Sequence, residues 1–175
     1  MTWSLRGAHP AITRTPAENH GRAFLLYDRF VDRAATGPKW LLEPYVSKCV
    51  VDTLRYAERH LNFYHLLAFC VMPNHVHVVI EPLVPVAKIT KSVKGFTSRG
   101  INRILKRTGE RLWQDESFDR WIRDAAERNR IIRYVEQNPV TAGLAKTAEQ
   151  WPWSSAFKPD TGREACATEE CVLRR

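Results

Sequence analysis

The chain has 175 residues, 44% of them hydrophobic and 26% charged, values that suit one soluble globular domain with its own core. No apolar run approaches the length of a membrane span, and Met1-Thr2-Trp3-Ser4-Leu5-Arg6 lacks the basic-then-apolar layout of a secretory signal. No membrane is therefore expected as a partner, and the expected location is cytoplasmic. Lys and Arg number 27 against 19 Asp and Glu, a net charge of +8 with a pI near 9.6, and such a balance favours polyanions, nucleic acid above all.

Thr2 to Arg6 reads as a short strand. Gly21 to Arg33 carries Phe24, Tyr27, Phe30 and Val31 at helical spacing, and Thr36-Gly37-Pro38 ends it. A longer helix follows Pro44, which suits a first helical turn, with Val46, Val50, Leu54 and Ala57 along one stripe. Phe63 to Val71 is apolar almost throughout and reads as a buried strand. Pro73-Asn74 supplies turn chemistry, Pro presetting one backbone angle and Asn tolerating a positive one, and His75 to Glu81 returns as the second strand of a hairpin.

Val86 to Lys106 reads as an amphipathic helix with Ile89, Val93, Phe96, Ile101, Ile104 and Leu105 on its apolar side. A short extended piece is expected around Leu112 to Gln114. Asp119 to Gln137 then forms a long helix stopped by Asn138-Pro139. From Thr161 onward the chain is polar, without periodicity, and reads as a loose tail. Cys49, Cys70, Cys166 and Cys171 have no zinc-ligand spacing and read as free thiols. Strands mixed with helices around a central antiparallel hairpin give an α+β fold, with helices mainly on one face of a small sheet. The other face carries the histidines and receives the last helix.

The chemistry centres on Met72-Pro73-Asn74-His75-Val76-His77. Residues i and i+2 of a strand point to one face, so His75 and His77 present both imidazoles together while Val76, Val78 and Ile80 face the core. Two such imidazoles form half of a divalent-metal site. An arbitrary His-x-His is often two solvated side chains on a sheet, but an apolar strand makes unpaired polar groups costly. A third ligand can come from the last helix, where Tyr134 and Asn138 lie four apart on one face. The Asn138 carboxamide oxygen can join the imidazoles around a Mg²⁺- or Mn²⁺-type ion, with the Tyr134 hydroxyl beside it. Taken alone, Tyr134 shares a stripe with Ile131 and Val135 and reads as packing, and Asn138 reads as a helix C-cap.

Two stretches, Met72-Pro73-Asn74-His75-Val76-His77-Val78-Val79-Ile80 and Tyr134-Val135-Glu136-Gln137-Asn138-Pro139-Val140-Thr141-Ala142-Gly143-Leu144, together resemble the single-tyrosine HUH transposases, in the branch associated with repetitive extragenic palindromes (REP). Lys94-Gly95-Phe96-Thr97-Ser98, Trp113-Gln114-Asp115-Glu116-Ser117-Phe118-Asp119 and Trp151-Pro152-Trp153-Ser154-Ser155 match in the same order. The resemblance runs from about Gly21 to Ala156. It implies a ferredoxin-like, RNA-recognition-motif-like antiparallel sheet with a C-terminal tyrosine-bearing helix, a domain over 1–158 and a loose tail over 159–175. It also implies His75, His77 and Asn138 as ligands of Mg²⁺ or Mn²⁺ and Tyr134 as the nucleophile. The implied reaction is cleavage and religation of single-stranded or hairpin DNA through a 5′-phosphotyrosine, by a monomer or a homodimer. Relatives begin with a full strand, of which only Thr2 to Gly7 is present here, so either the sheet edge is stunted or the true start lies upstream.

Physical chemistry agrees with those roles. A tyrosine hydroxyl with an ordinary pKa of about 10 is a weak nucleophile at neutral pH, and a cation on the scissile phosphate offsets charge and orients an in-line displacement. Glu136 points away from Tyr134 on a helix and reads as solvated. Between Val86 and Arg111, Lys88, Lys91, Lys94, Arg99, Arg103, Lys106, Arg107 and Arg111 face one acid, Glu110. A solvated helix face is the plain reading of a charge run; a one-sign helix next to a nuclease-like site reads as a backbone-phosphate track. Trp151 and Trp153 can stack on bases but more often close a core. Two rival readings stand beside the transposase: a domesticated relative that binds structured DNA without cutting it, and a metalloenzyme of unrelated chemistry built on the histidines.

Overall fold

The computed structural model describes residues 1–8, 37–115 and 117–159. The helix expected over Gly21–Arg33, and the tail with Cys166 and Cys171, lie outside the described residues. The elements are β1 (Thr2–Ser4), α1 (Pro44–Arg59), β2 (Tyr64–Val71), β3 (His75–Pro82), α2 (Val86–Ile104) and α3 (Ala125–Thr141), with single 3-10 turns at Trp40–Leu42 and Ala148–Gln150. The strands form one antiparallel sheet in the order β1-β3-β2. Cys49 lies half-buried on α1 and Cys70 buried on β2.

Both edges of this small sheet are covered by irregular chain. Outside β1, Thr2 and Phe118 exchange backbone hydrogen bonds of 2.9 Å in each direction. Arg6 N–H donates to the Leu112 carbonyl at 2.8 Å and Gln114 N–H to that of Ser4 at 2.9 Å. The extended piece expected near Leu112–Gln114 thus acts as a rudimentary fourth strand, and the sheet acquires the antiparallel 4-1-3-2 order of a ferredoxin-like α+β fold. Outside β2, Val71 N–H donates to the Trp153 carbonyl at 2.8 Å and Ser155 N–H to the Phe69 carbonyl at 2.9 Å. Pairing along part of each edge shortens the row of open donors and acceptors offered to a stray strand.

Strand alternation divides the interior in two. On one face Trp3, Leu5, Phe69, Val71, Val76 and Val78 pack under α1 and α2. The α1 stripe of Val46, Val50, Leu54 and Ala57 is buried as expected. On α2 the buried line is Ile89, Val93, Thr97 and Ile101, a strict i+4 series. Phe96 and Ile104, expected on that apolar side, are 47% and 37% exposed because each falls one position off the series. Thr97 can sit in this core because its hydroxyl donates to the Val93 carbonyl at 2.7 Å and accepts from Trp113 Nε1 at 2.9 Å. On the other face Ala68, Cys70, Met72 and Val79 meet Val135 of α3.

The last helix departs from its expected bounds at both ends. It begins at Ala125 rather than Asp119, because Asp124 caps it: Asp124 Oδ1 accepts from the Glu127 N–H at 2.7 Å, and Glu127 Oε2 reaches back to the Arg123 N–H at 2.9 Å. This reciprocal bonding is like a capping box, with the Glu127 carboxylate reaching one residue beyond the cap, and it fixes Arg123 and its predecessors outside the helix. At the other end the chain does not stop at Asn138-Pro139 but runs through Pro139 to Thr141. Gly143, at φ 71°, terminates it, with Leu144 N–H donating to the Pro139 carbonyl at 2.8 Å and Gly143 N–H to that of Val140 at 3.0 Å. These are the two bonds of a Schellman motif, and they outweigh the carbonyl partner lost at the proline.

Two stability predictions come from those ends. Gly143→Ala places a Cβ in the left-handed region and should cost about 1 kcal/mol in urea unfolding. The buried Glu127 carboxyl is held below the usual carboxylate range, first by the Arg123 N–H and then by the Arg120 guanidinium that pairs with it. A lowered folded-state value means the stabilisation is complete above the ordinary Glu range and is lost as pH falls through the lowered value. Glu127→Gln should therefore lower the thermal midpoint at pH 7, and the gap to the parent chain should close on acidification; a gap constant with pH would contradict this origin.

Candidate active site

His75 and His77 lie on β3, 0% and 2% exposed, with imidazoles facing the same side of the sheet. Their Nε2 atoms are 2.8 Å apart and the rings meet edge to face. Each Nδ1 has its own partner. Asn74 Oδ1 lies 2.7 Å from His75 Nδ1, and Thr2 Oγ1 lies 2.9 Å from His77 Nδ1. A carboxamide oxygen only accepts, so His75 carries its proton on Nδ1 and keeps a lone pair on Nε2. His77 then donates from Nε2, and its Nδ1 accepts from the Thr2 hydroxyl. Rotating that hydroxyl to accept moves the His77 proton to Nδ1 and leaves both Nε2 lone pairs facing one point, as metal ligation needs.

The turn that launches the pair is built for this. Met72 N–H donates to the His75 carbonyl at 2.8 Å, closing the hairpin, and the Pro73 and Asn74 carbonyls accept from Leu41 and Leu5. Asn74 does not take the positive φ expected of it. Its side chain serves the histidine instead, and a fully buried carboxamide beside an imidazole is a means of fixing a tautomer.

Tyr134 of α3 is half-buried with its ring centroid 6.3 Å from that of His77. It also packs against the smaller apolar cluster. Asn138, one turn on, is 1% exposed, and neither its Oδ1 nor its Nδ2 has a hydrogen-bond partner among the described residues. It is an interior helical residue, not the C-cap that its place before Pro139 suggested. A buried carboxamide without partners costs about 1–3 kcal/mol. Among the described residues no group of three His, Cys, Asp or Glu could hold a metal.

The eight basic residues expected to track DNA lie elsewhere. All belong to α2 or the loop after it, and α2 packs on the sheet face opposite Tyr134. The adjacency to the tyrosine site that motivated the phosphate-track reading is therefore absent: strand alternation, which sequence periodicity alone could not pair with a helix, sends α2 to the other side. Several are already engaged. Lys94 donates to the Gln114 carbonyl at 2.5 Å and so pins the rudimentary fourth strand; Arg107 lies 3.8 Å over the Trp40 ring and pairs with Glu110; Arg111 pairs with Asp115 at 2.9 Å; Lys88 covers Phe63 and Arg99 covers Phe96. Lys91, Arg103 and Lys106 are exposed.

A groove of about 810 Å³ opens on the tyrosine side, lined by His77, Tyr134, Trp121, Arg123, Arg128 and Arg130 among others. None of these arginines, nor Trp121, was singled out in the sequence. The signal that could have found them is the aromatic set between basic residues in Arg120-Trp121-Ile122-Arg123. Thr2 and Asn74 were missed as tautomer-setting partners because their contacts depend on strand register. Glu136, read as solvated, accepts from Ser155 Oγ at 2.9 Å, joining α3 to the covered edge of β2. Trp151 likewise closes structure: its Nε1 donates to the Val71 carbonyl at 3.0 Å.

The sequence places the chain in a transposase family. Residues 39–138 match the family described as Transposase IS200 like, and the chain belongs to that family. More particularly, it is 25% identical over 105 residues to a Haemophilus influenzae protein named for the REP-associated tyrosine transposases, a match covering 53% of this chain. The matched region spans 58% of that relative's length. The fold matches the solved structure of a REP-associated tyrosine transposase bound to a REP hairpin with a TM-score of 0.51 at 15% identity, covering 99% of this chain and 89% of the other. Among the described residues no helix is long and apolar enough to cross a membrane.

The unpartnered carboxamide gives a direct test of whether Asn138 is kept for stability. Asn138→Leu, of similar volume, should stabilise the chelator-treated protein by about 1–3 kcal/mol in urea unfolding. Destabilisation would show that the amide has a structural partner.

Proposed function

We propose that this chain nicks and rejoins single-stranded or hairpin DNA, with Tyr134 as the nucleophile. The observation that carries the reading is the Tyr134 ring set against His77, with a buried, unpartnered Asn138 carboxamide one helical turn further on. The neighbour bound to a REP hairpin supports hairpin DNA as the substrate class.

Tyr134 Oη attacks the scissile phosphorus as its phenolic proton leaves. A tyrosine–phosphorus bond forms, the bond to the 3′ oxygen breaks, and that oxygen departs as a 3′-hydroxyl once protonated. One phosphodiester is exchanged for another, so a 3′-hydroxyl from a second strand can reverse the step without an energy source. The helix holds Tyr134 rigidly because its N-terminus is capped by Asp124 and its far end is closed at Gly143, and such rigidity lowers the entropic cost of an in-line approach.

The donor chemistry fits a divalent cation. His75, His77 and Asn138 would hold Mg²⁺ or Mn²⁺, which would supply charge neutralisation at the non-bridging phosphate oxygens. Asn74 would hold the His75 proton on Nδ1, and the Thr2 hydroxyl, turned to accept, would do the same for His77, freeing both Nε2 atoms for the cation.

The test is a denaturing-gel assay with labelled oligonucleotides carrying the hairpins that flank the gene, with Mg²⁺ or Mn²⁺. The parent chain should yield a nicked strand and a protein-linked DNA band, and Tyr134→Phe should lose both while binding the hairpin with unchanged affinity. Nicking that survives in Tyr134→Phe would sink the tyrosine mechanism. Hairpin binding by the parent chain without cleavage under either metal would leave a binding protein.

A further inference from the structure

Resting on that reading, we infer that Ser155 is a positioning residue for Tyr134: its hydroxyl, bonded to Glu136, holds the roll of α3 and so fixes where the tyrosine meets the histidine strand. The starting point is Trp151-Pro152-Trp153-Ser154-Ser155, a stretch that the nicking chemistry leaves without a task. In the fold it lies along the outer edge of β2 and binds alternate residues there. Val71 N–H donates to the Trp153 carbonyl at 2.8 Å, Trp151 Nε1 to the Val71 carbonyl at 3.0 Å, and Ser155 N–H to the Phe69 carbonyl at 2.9 Å. The Ser155 hydroxyl adds a further bond, accepting from Phe69 N–H at 3.1 Å. Its one proton has two acceptors in reach, the Phe69 carbonyl at 3.3 Å and Glu136 Oε1 of α3 at 2.9 Å. The carboxylate takes it, since a charged acceptor makes the shorter and stronger bond.

The same edge leads directly into the histidine hairpin. Phe69, Cys70 and Val71 run into the turn at Met72-Pro73-Asn74, and Cys70 is the register partner of His77. One strip thus holds the strand paired to the histidines and, through a single side chain, the helix that carries the tyrosine.

That helix needs a hold against rolling. Successive residues of an α-helix project about 100° apart, so Tyr134 and Glu136 stand on opposite flanks of Val135, which is 4% exposed and faces the sheet. Tyr134 leans toward β3, where its ring centroid lies 6.3 Å from that of His77, and Glu136 leans toward the strip beyond β2. Between the two flanks Val135 meets Ala68, Cys70 and Val79. Such apolar contact is non-directional: it resists lifting of the helix more than rotation about its axis. A roll of about 10° moves a group at the helix surface, about 6 Å from the axis, by about 1 Å. A misplacement of about 1 Å can cost about a hundredfold in rate. A directional hydrogen bond on the flank opposite Tyr134 opposes that roll.

Two readouts test this, one of turnover and one that needs no cleavage. On the hairpin oligonucleotides that flank the gene, Ser155→Ala and Glu136→Ala should each lower kcat about tenfold with KM unchanged. The double variant should lose no more than either single one, because both remove the same bond. Glu136→Gln, whose amide oxygen still accepts, should recover most of the rate. For the second readout, a ring-fluorinated tyrosine replaces Tyr134 alone, and its fluorine NMR resonance is followed in the metal-free chain. The resonance should shift in both alanine variants and return to the parent position in Glu136→Gln. Ser155 is exposed and Glu136 half-buried, so circular dichroism should match the parent in every variant. A parent-like kcat in both alanine variants, losses that multiply in the double variant, or a resonance that stays in place would overturn the positioning role. If the parent chain never nicks, the tyrosine reading fails and the resonance alone decides: displaced by alanine and restored by glutamine, it upholds the role of Ser155, and undisplaced it removes it.

Discussion

Two imidazoles are buried together against one face of a three-stranded sheet, and the helix that crosses that face buries a carboxamide, Asn138, as well. Polar groups away from water must find partners or a ligand. Asn74 and Thr2 supply partners on the outer nitrogen of each ring, which leaves the inner nitrogens facing each other. Asn138 has none. α3 must be held firmly across this face, since nothing in an apolar core would keep it in register there.

That firmness comes from covered edges and closed helix ends. The pieces over 112–115 and 117–118 are fastened to β1 by backbone bonds, and the first also by Lys94 and by Trp113 against Thr97. The strip over 151–155 is fastened to β2, and through Ser155 and Glu136 to α3 itself. Several residues that look like nucleic-acid contacts in a list of charges and aromatics therefore hold the frame. Lys94, Arg107, Trp151 and Trp153 belong to this group. The frame in turn sets the angle at which Tyr134 meets His77.

The distribution of charge across the sheet is a consequence of the same topology. The chain concentrates its positive excess between Val86 and Arg111, yet that helix lies behind the sheet, under the larger core. The arginines that line the groove beside Tyr134, Arg120, Arg123, Arg128 and Arg130, are matched in number by Glu81, Asp119, Asp124 and Glu127 of the same lining. Local net charge along the chain is thus a poor guide to the charge that a face presents, because the fold decides which residues share it.

Much of this was legible in the chain alone. Period-two alternation gave His75 and His77 a common face, i+4 spacing put Tyr134 beside Asn138, and the α1 stripe was correct at all four positions, because these are relations between residues close in sequence. The bounds of α3 are legible too, in the cap Asp124-x-x-Glu127 and in the Schellman glycine Gly143, which prevail over the stop signal of Asn138-Pro139. What only the tertiary structure decided were relations across the sheet: that Thr2 faces His77, that Asn74 turns its amide to His75, that α2 lies behind the sheet, and that Trp121 stands open beside Tyr134. Strand register and the choice of sheet face join residues tens of positions apart, and no local periodicity contains that information.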